Sequence, residues 1–171
     1  PEELLDRLES AQMNDNNEWY KRILNVTEIA ARKSNGDYSV GVTDLGGIMD
    51  ILQSFLTYKD LILTMTKKPG IIDAARAIIM EKWHIMYDEI AKILHKYNLG
   101  TTGWLNVWSP KDYYPIQCDV CASLNPKLFR RFVLPDLKEQ TERLDHTIYH
   151  WDGPQQLNYA DDILALPDLN G

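Results

Sequence analysis

The chain has 171 residues, of which 44% are apolar, so it can bury one ordinary hydrophobic core, and residues 1–171 are expected to form a single domain. Its formal net charge is −7, from 25 acidic and 18 basic residues, which is not the basic excess expected of a nucleic-acid-binding protein. The sequence has no apolar run long enough to span a membrane, and its first residues, Pro-Glu-Glu, are unlike a signal peptide. A cytoplasmic location without membrane partners is therefore expected.

Residues 1–35 are predicted to form a helical lead-in. Apolar residues recur at three- and four-residue spacing in two stretches, which predicts two helices, and the polar residues 14–17 between them offer an N-cap. Residues 38–43 have the β-branched and aromatic content of a short strand. Two further helical runs are predicted to follow, the first opened by Gly46-Gly47 and the second ended by Lys68-Pro69-Gly70.

The rest of the chain alternates between helical and strand-like patterns. A long helix is predicted over residues 71–97, strands over 101–108 and 114–120, a helix from Asn125-Pro126 that Pro135 kinks, a strand from Thr147 and a helix before Pro167. This order predicts parallel β/α units over residues 36–171. The fold class expected is α/β, a partial TIM-like (β/α)₈ barrel with N-terminal helices.

The length of the chain is short for such a barrel. A closed barrel of eight units takes about 250 residues, and only about four strands are evident here. The last predicted helix leads into Asn170-Gly171, where the alternation predicts another strand. We therefore expect a fragment of a larger barrel, with an open α/β sheet as the alternative.

The most informative stretch is the predicted strand from Thr147 to Trp151, which ends on Asp152, Gly153 and Pro154. Side chains two residues apart share a face of a strand, so His150 and Asp152 are expected to lie together at its carboxyl end. In α/β proteins, chemistry usually takes place at that end of the sheet. Both residues are candidate catalytic residues, and both are candidate metal ligands.

Other candidates are found in the two preceding strands. Asp119 comes at the end of its strand and is paired by alternation with Gln117, so we treat it as a candidate for electrostatic work. Residues of the aromatic and polar strand faces are candidates for substrate binding: Trp104, Asn106, Trp108, Tyr114 and Gln117. Cys118 and Cys121 have C-x-x-C spacing, but a single pair is a weak metal signal, and packing against helices is the favoured interpretation.

Several short motifs occur in a characteristic order between Gly46 and Gly171. They are Gly46-Gly47-Ile48-Met49-Asp50, Lys68-Pro69-Gly70, Ile116-Gln117-Cys118-Asp119, Leu124-Asn125-Pro126-Lys127-Leu128-Phe129, Phe132-Val133-Leu134-Pro135 and Tyr149-His150-Trp151-Asp152-Gly153. In order and spacing they resemble the uroporphyrinogen decarboxylase superfamily. That superfamily consists of (β/α)₈ barrels and includes porphyrinogen decarboxylases and the corrinoid and coenzyme M methyltransferases.

The resemblance implies two enzymatic branches. In the methyltransferase branch, a strand-end His-x-Cys-Gly and a later cysteine hold zinc, which activates a thiol that takes a methyl group from a corrinoid. Here the pattern is His150-Trp151-Asp152-Gly153, so a carboxylate stands where that branch has a thiolate. Histidine and carboxylate can still bind Zn²⁺, but the substitution puts standard thiol methylation in doubt.

The decarboxylase branch uses no metal or cofactor and relies on an aspartate near the pyrrole nitrogens, for which Asp119 is the best candidate. Corrinoid-linked methyl transfer at the His-x-Asp site is the first functional hypothesis, with a corrinoid protein and a small molecule as partners. The alternative is a metal-free decarboxylase of a tetrapyrrole or another carboxylate. A third possibility is a non-catalytic barrel that binds a ligand or a corrinoid protein.

Overall fold

The computed structural model describes residues 2–97 and 99–171. The helices in this part of the chain are α1 (Glu2–Ser10), α2 (Glu18–Ser34), α3 (Ile48–Phe55), α4 (Tyr58–Lys67), α5 (Pro69–Lys96), α6 (Pro126–Leu128), α7 (Leu134–Arg143) and α8 (Ala160–Leu164). The strands are β1 (Thr101–Thr102), β2 (Trp108–Ser109), β3 (Tyr113–Ile116) and β4 (His146–Tyr149). 3-10 helices cover Asp119–Ser123 and Pro154–Tyr159, and a π-helical turn covers Phe129–Val133.

The two predicted N-terminal helices are present, and both pack against α5. The Asn17 side chain accepts hydrogen bonds from the backbone N–H groups of Trp19 (3.0 Å) and Tyr20 (3.2 Å), which is the N-cap predicted for α2. Helix α5 buries apolar residues along most of its length, at the spacing predicted from the sequence. It is therefore the helix on which α1 to α4 assemble.

Neighbouring extended segments lie side by side in the same order as they occur along the sequence. Strands β3 and β4 are parallel, with Ile116 opposite Tyr149. The Val42 N–H donates to the carbonyl of Thr102 (2.8 Å), which places residues 40–43 beside β1. At the other side, the N–H of Asn170 donates to the carbonyl of Thr147 (2.9 Å), which places residues 169–171 beside β4.

Glycine permits the contact between β1 and β3. A Cβ on Gly103, which follows β1, would lie 2.6 Å from the Pro115 ring of β3, closer than van der Waals contact allows. A side chain at this position would therefore push the two segments apart.

The described residues confirm a mixed α/β fold. They contain two two-stranded sheets, the antiparallel pair β1–β2 and the parallel pair β3–β4, and do not form a closed barrel. None of the described helices combines the length and the apolar character that crossing a membrane requires.

The stretch 101–108 differs from the predicted single strand. Its chain turns back after β1, so that β2 pairs with β1 in antiparallel register. Within the turn, the Asn106 N–H donates to the carbonyl of Gly103 (3.1 Å), and Asn106 adopts a left-handed conformation with φ of 56°. Asparagine tolerates this left-handed conformation better than most residues do. An alternating pattern of polar and apolar residues gives no sign of such a turn, so the pattern predicted one continuous strand.

Two helical stretches near the C-terminus are less regular than the sequence pattern suggests. The helix that begins at Asn125 passes through the π-helical turn just before Pro135, which occupies the first turn of α7. That turn accommodates the missing proline N–H within a continuous helical path. The helix after β4 begins as a 3-10 helix and becomes α-helical only at Ala160.

Candidate functional site

The carboxyl ends of β3 and β4 lie next to each other. The strands are parallel, and the N–H of His150 donates to the carbonyl of Ile116 (2.8 Å), which extends their pairing by one residue beyond β4. The residues after both strands therefore emerge at the same edge. We call this region, with Asp44, Asp50, Asp119, His150 and Asp152, the strand-end site.

Alternation along β4 places His150 on the open face of the sheet. Thr147 and Tyr149 are buried against the helices, whereas Ile148 and His150 are half-buried. The imidazole of His150 packs edge-to-face against the indole of Trp104, with 4.7 Å between the ring centroids. The structure thus brings together two residues that the sequence predicted separately, and gives the imidazole a defined wall.

The electrostatics of the site link Asp119 to both residues of the His-x-Asp pattern. Partial burial of the Asp119 carboxyl raises its pKa. The negative charges of Asp50 and Asp152 raise this pKa further, while His150 lowers it. Asp152 itself is exposed. An acid whose pKa is raised in this way holds its proton at a higher pH than an ordinary aspartate does.

Asp50 fixes the backbone that carries Asp119. Its carboxylate accepts the N–H of Asp119 (3.0 Å) and the N–H of Val120 (2.8 Å), the first two residues of a 3-10 helix. Burial raises the pKa of Asp50, and these two hydrogen bonds partly oppose the effect. Gly47 makes the approach possible, because a Cβ there would collide with the carbonyl oxygen of Gln117 and with the Asp50 carboxylate.

Sequence reasoning did not assign a role to Asp44 or Asp50. Asp44 follows the extended residues 40–43, accepts the hydroxyl of Tyr114 (3.1 Å), and its charge raises the pKa of Asp119. The signal for Asp44 was its position after a predicted strand, the same signal that identified Asp119. Asp50 is part of the Gly-Gly-Ile-Met-Asp motif, but its role depends on contacts with residues about seventy positions away.

The remaining predicted site residues lie elsewhere. Trp108 is 54% exposed and lines a surface hollow with Asp112 and Asp145, which precede β3 and β4, so it lies at the opposite end of the strands. Asn106 is exposed in the turn between β1 and β2. Tyr114 is fully buried against Trp83 on the helical side of the sheet.

Gln117 is buried and borders a closed space between β3, α3 and α7. Two of the predicted substrate-binding residues contact the strand-end site directly: Trp104 packs against His150, and Tyr114 donates its hydroxyl to Asp44.

Both cysteines are buried behind the strand-end site and are free thiols. The Cys121 sulfur lies 3.6 Å from the hydroxyl of Tyr149, whose O–H donates to the side-chain carbonyl of Gln156 (3.1 Å). Burial raises the pKa of the Cys118 thiol well above its usual value. These contacts fit the packing interpretation of the C-x-x-C pair.

Zinc sites in proteins use three or four protein ligands. Within residues 2–97 and 99–171, His, Cys, Asp and Glu side chains form no group of three or more that would hold a metal ion. The assignment of His150 and Asp152 as metal ligands therefore stays a prediction, which needs a further ligand beyond those that the described residues group with them. What the strand-end site offers is an imidazole beside acids, the components of general acid–base catalysis. No family model, curated protein or solved structure matches the chain.

Proposed function

We propose that the chain is part of an enzyme of the uroporphyrinogen decarboxylase superfamily and that the strand-end site is in its active site. The proposal is supported by the order of the extended segments: residues 40–43, β1, β3, β4 and residues 169–171 are successive neighbours. In a (β/α)₈ barrel, sequential strands are neighbours joined by helices, and catalytic residues follow the strands. Here helices join each successive pair except β1 and β3, which are joined through β2. Asp44, Asp119 and His150 each follow one of these segments.

The observation on which the function depends is the position of His150. Its imidazole is half-buried on the open face, stands against Trp104, and lies within the electrostatic range of Asp119. Histidine is the side chain that most commonly accepts or donates a proton in catalysis at neutral pH. Nearby carboxylates stabilise its protonated form, so the arrangement suits a general base that becomes an imidazolium during the reaction.

The reaction we propose is methyl transfer from a corrinoid carried by a partner protein. When bound, the corrinoid supplies the methyl group. His150 takes the proton of the methyl acceptor, Asp119 and Asp152 stabilise the resulting imidazolium, and Asp50 holds the backbone of Asp119 in place. Because the described ligands do not make up a zinc site, no step is assigned to zinc.

Methylcobalamin with a small thiol acceptor provides the test. We expect the protein to accelerate loss of the methylcobalamin spectrum, and His150→Gln to lower that rate by about 10²-fold, a typical contribution of a positioned acid or base. His146→Gln is the matched control, because His146 lies on the same strand at the other end, 2.9 Å from the Ser109 hydroxyl. Equal rates for the wild type and His150→Gln would contradict the assignment.

A decarboxylase is the second candidate, and the raised pKa of Asp119 favours it. Loss of CO₂ leaves a carbanion that needs a proton, and a carboxyl that stays protonated at higher pH is a suitable donor. Release of CO₂ from uroporphyrinogen, abolished in Asp119→Asn, would support this reaction over methyl transfer. Tight ligand binding with neither turnover would support the non-catalytic alternative.

A further inference from the structure

A further pocket lies where α1, α3 and α5 meet. Its volume is about 220 Å³, and its lining is almost entirely apolar. The principal side chains around it are Leu8, Met13, Ile51, Phe55, Trp83 and Met86. An apolar cavity of about 150 Å³ is large enough to bind benzene, so this pocket is large enough for a small apolar molecule.

The geometry of the chain keeps this space open. The apolar side chain of Leu8 is buried, and Ala11 and Met13, which follow α1, line the space beyond it. The ammonium group of Lys82 on α5 donates a hydrogen bond to the carbonyl of Ala11 (2.5 Å). This bond joins the segment that follows α1 to α5 at the rim of the pocket. The pocket therefore has a fixed rim on the α1 side and apolar walls from α3 and α5.

Two cationic side chains are found beside this apolar space. Lys82 is half-buried in the lining, and an ammonium has two donors left after its bond to Ala11. The Arg7 guanidinium stacks over the ring of Phe55, 5.1 Å from its centroid, and Phe55 also lines the pocket. In a chain of net charge −7, two cations at the rim of an apolar pocket make that rim complementary to an anion.

We propose that this pocket binds a medium-chain carboxylate. The alkyl chain occupies the space between Leu8, Phe55 and Met86, and the carboxylate faces Lys82 and Arg7. Apolar burial provides the affinity, and the two cations select an acid over an alcohol of the same length. The inference is independent of the reaction at the strand-end site.

Methionine methyl groups provide a direct readout, with octanoate as the probe. In protein labelled with ¹³C at the methionine methyls, we expect octanoate to shift the signals of Met13 and Met86 saturably, with a dissociation constant on the order of 1 mM. Met49 and Met65 are buried outside the pocket, and their signals should stay in place. Octanol should bind less tightly than octanoate.

The charge selection is tested separately with Lys82→Met, which keeps an apolar side chain in the lining. We expect this variant to weaken octanoate binding by about three- to fivefold more than it weakens octanol binding, because loss of the bond to Ala11 affects both ligands and loss of the charge affects the acid alone. Lys92→Met is the matched control, because Lys92 is an exposed lysine on the same helix outside the pocket. An absence of saturable shifts would overturn the site, and equal affinities of wild-type protein for octanoate and octanol would overturn the ligand class.

Discussion

Two regions of the molecule hold an aspartate in different ways, one buried and one half-buried. Between α5 and α7, the Arg76 guanidinium binds the Asp136 carboxylate through two hydrogen bonds of 2.8 and 2.6 Å, with the residues 8% and 5% exposed. At the strand-end site, Asp50 accepts two backbone N–H groups, and the neighbouring charges of Asp44 and Asp119 are negative.

This difference distinguishes an ion pair that stabilises helix packing from a group of acids arranged as in many active sites. The seam between α5 and α7 balances its charges and fixes how two helices pack. Burial raises the pKa of Asp136 in the seam, and Arg76 opposes that rise. At the strand-end site, the negative charges of Asp50 and Asp152 add to the effect of burial on the pKa of Asp119, and such gathered like charges cost stability and are common in active sites. Removal of Arg76 from the seam should therefore lower the free energy of unfolding, whereas removal of the Asp119 charge from the strand-end site should raise it.

The largest effect is expected for Arg76→Met. This change leaves Asp136 buried without its bidentate partner and should lower the free energy of unfolding by about 3–5 kcal/mol. Urea unfolding measures it, and the double variant Arg76→Met/Asp136→Leu should recover most of the loss. Arg143→Met breaks an exposed ion pair with Asp88 and should cost less than about 1 kcal/mol. A similar loss in both single variants would contradict the distinction between buried and exposed pairs.

A smaller loss is expected for Asp50→Asn. An amide presents one oxygen, so one of the two N–H groups of the 3-10 helix loses its acceptor, at a cost of about 1–3 kcal/mol. The same change removes a negative charge near Asp119, and the pKa of Asp119 should fall toward its ordinary range. NMR titration of the Asp119 carboxyl measures this shift. An unchanged Asp119 pKa would show that the charge of Asp50 does not act on the site.

A gain is expected for Asp119→Asn. The variant removes one of several like charges, so the free energy of unfolding at neutral pH should rise by up to about 0.5 kcal/mol. Asp161→Asn, an exposed acid at the start of α8, is the comparison, and there the favourable contact with the helix N-terminus is lost. Destabilisation by Asp119→Asn would mean that the carboxylate is structural.

The smallest effect is a change in pH dependence. Folding raises the pKa of Asp119, so the native state binds more protons than the unfolded chain does over part of the acidic range. Its contribution to stability is complete below the unfolded pKa of about 4 and is lost as pH rises through the raised value. The advantage of Asp119→Asn over the wild type should therefore grow from about pH 4 to pH 7. A constant difference across this range would contradict the raised pKa.

Local chemistry made much of the fold predictable. The helices α1 to α5 follow apolar periodicity, and the caps at Asn17 and Asn125 follow from side chains that accept N–H groups one turn ahead. The turn that separates β1 from β2 was not predicted, because it depends on the left-handed conformation of Asn106 and on the contact between Gly103 and Pro115. Neither appears in an alternating pattern of polar and apolar residues.

The site was predictable in part for the same reason. Strand polarity indicated His150 and Asp119, since both follow a strand within one segment. The alternation that paired Asp119 with Gln117 was wrong, because β3 ends at Ile116 and Asp119 begins a 3-10 helix. The contributions of Asp44 and Asp50 depend on segments far apart in the chain meeting at one edge. Trp108 was assigned to that edge on the assumption of a straight strand, and the reversal of the chain carries it to the other end.

Because Cys118 and Cys121 are buried, the reactivity of their thiols measures how often this part of the structure opens. The two cysteines are 2% and 0% exposed and lie behind β3 and β4, so an alkylating reagent reaches them only when this part of the structure separates. The rate of labelling, followed by mass spectrometry without any engineered probe, thus reports how often the backbone that carries the strand-end site separates from the structure behind it.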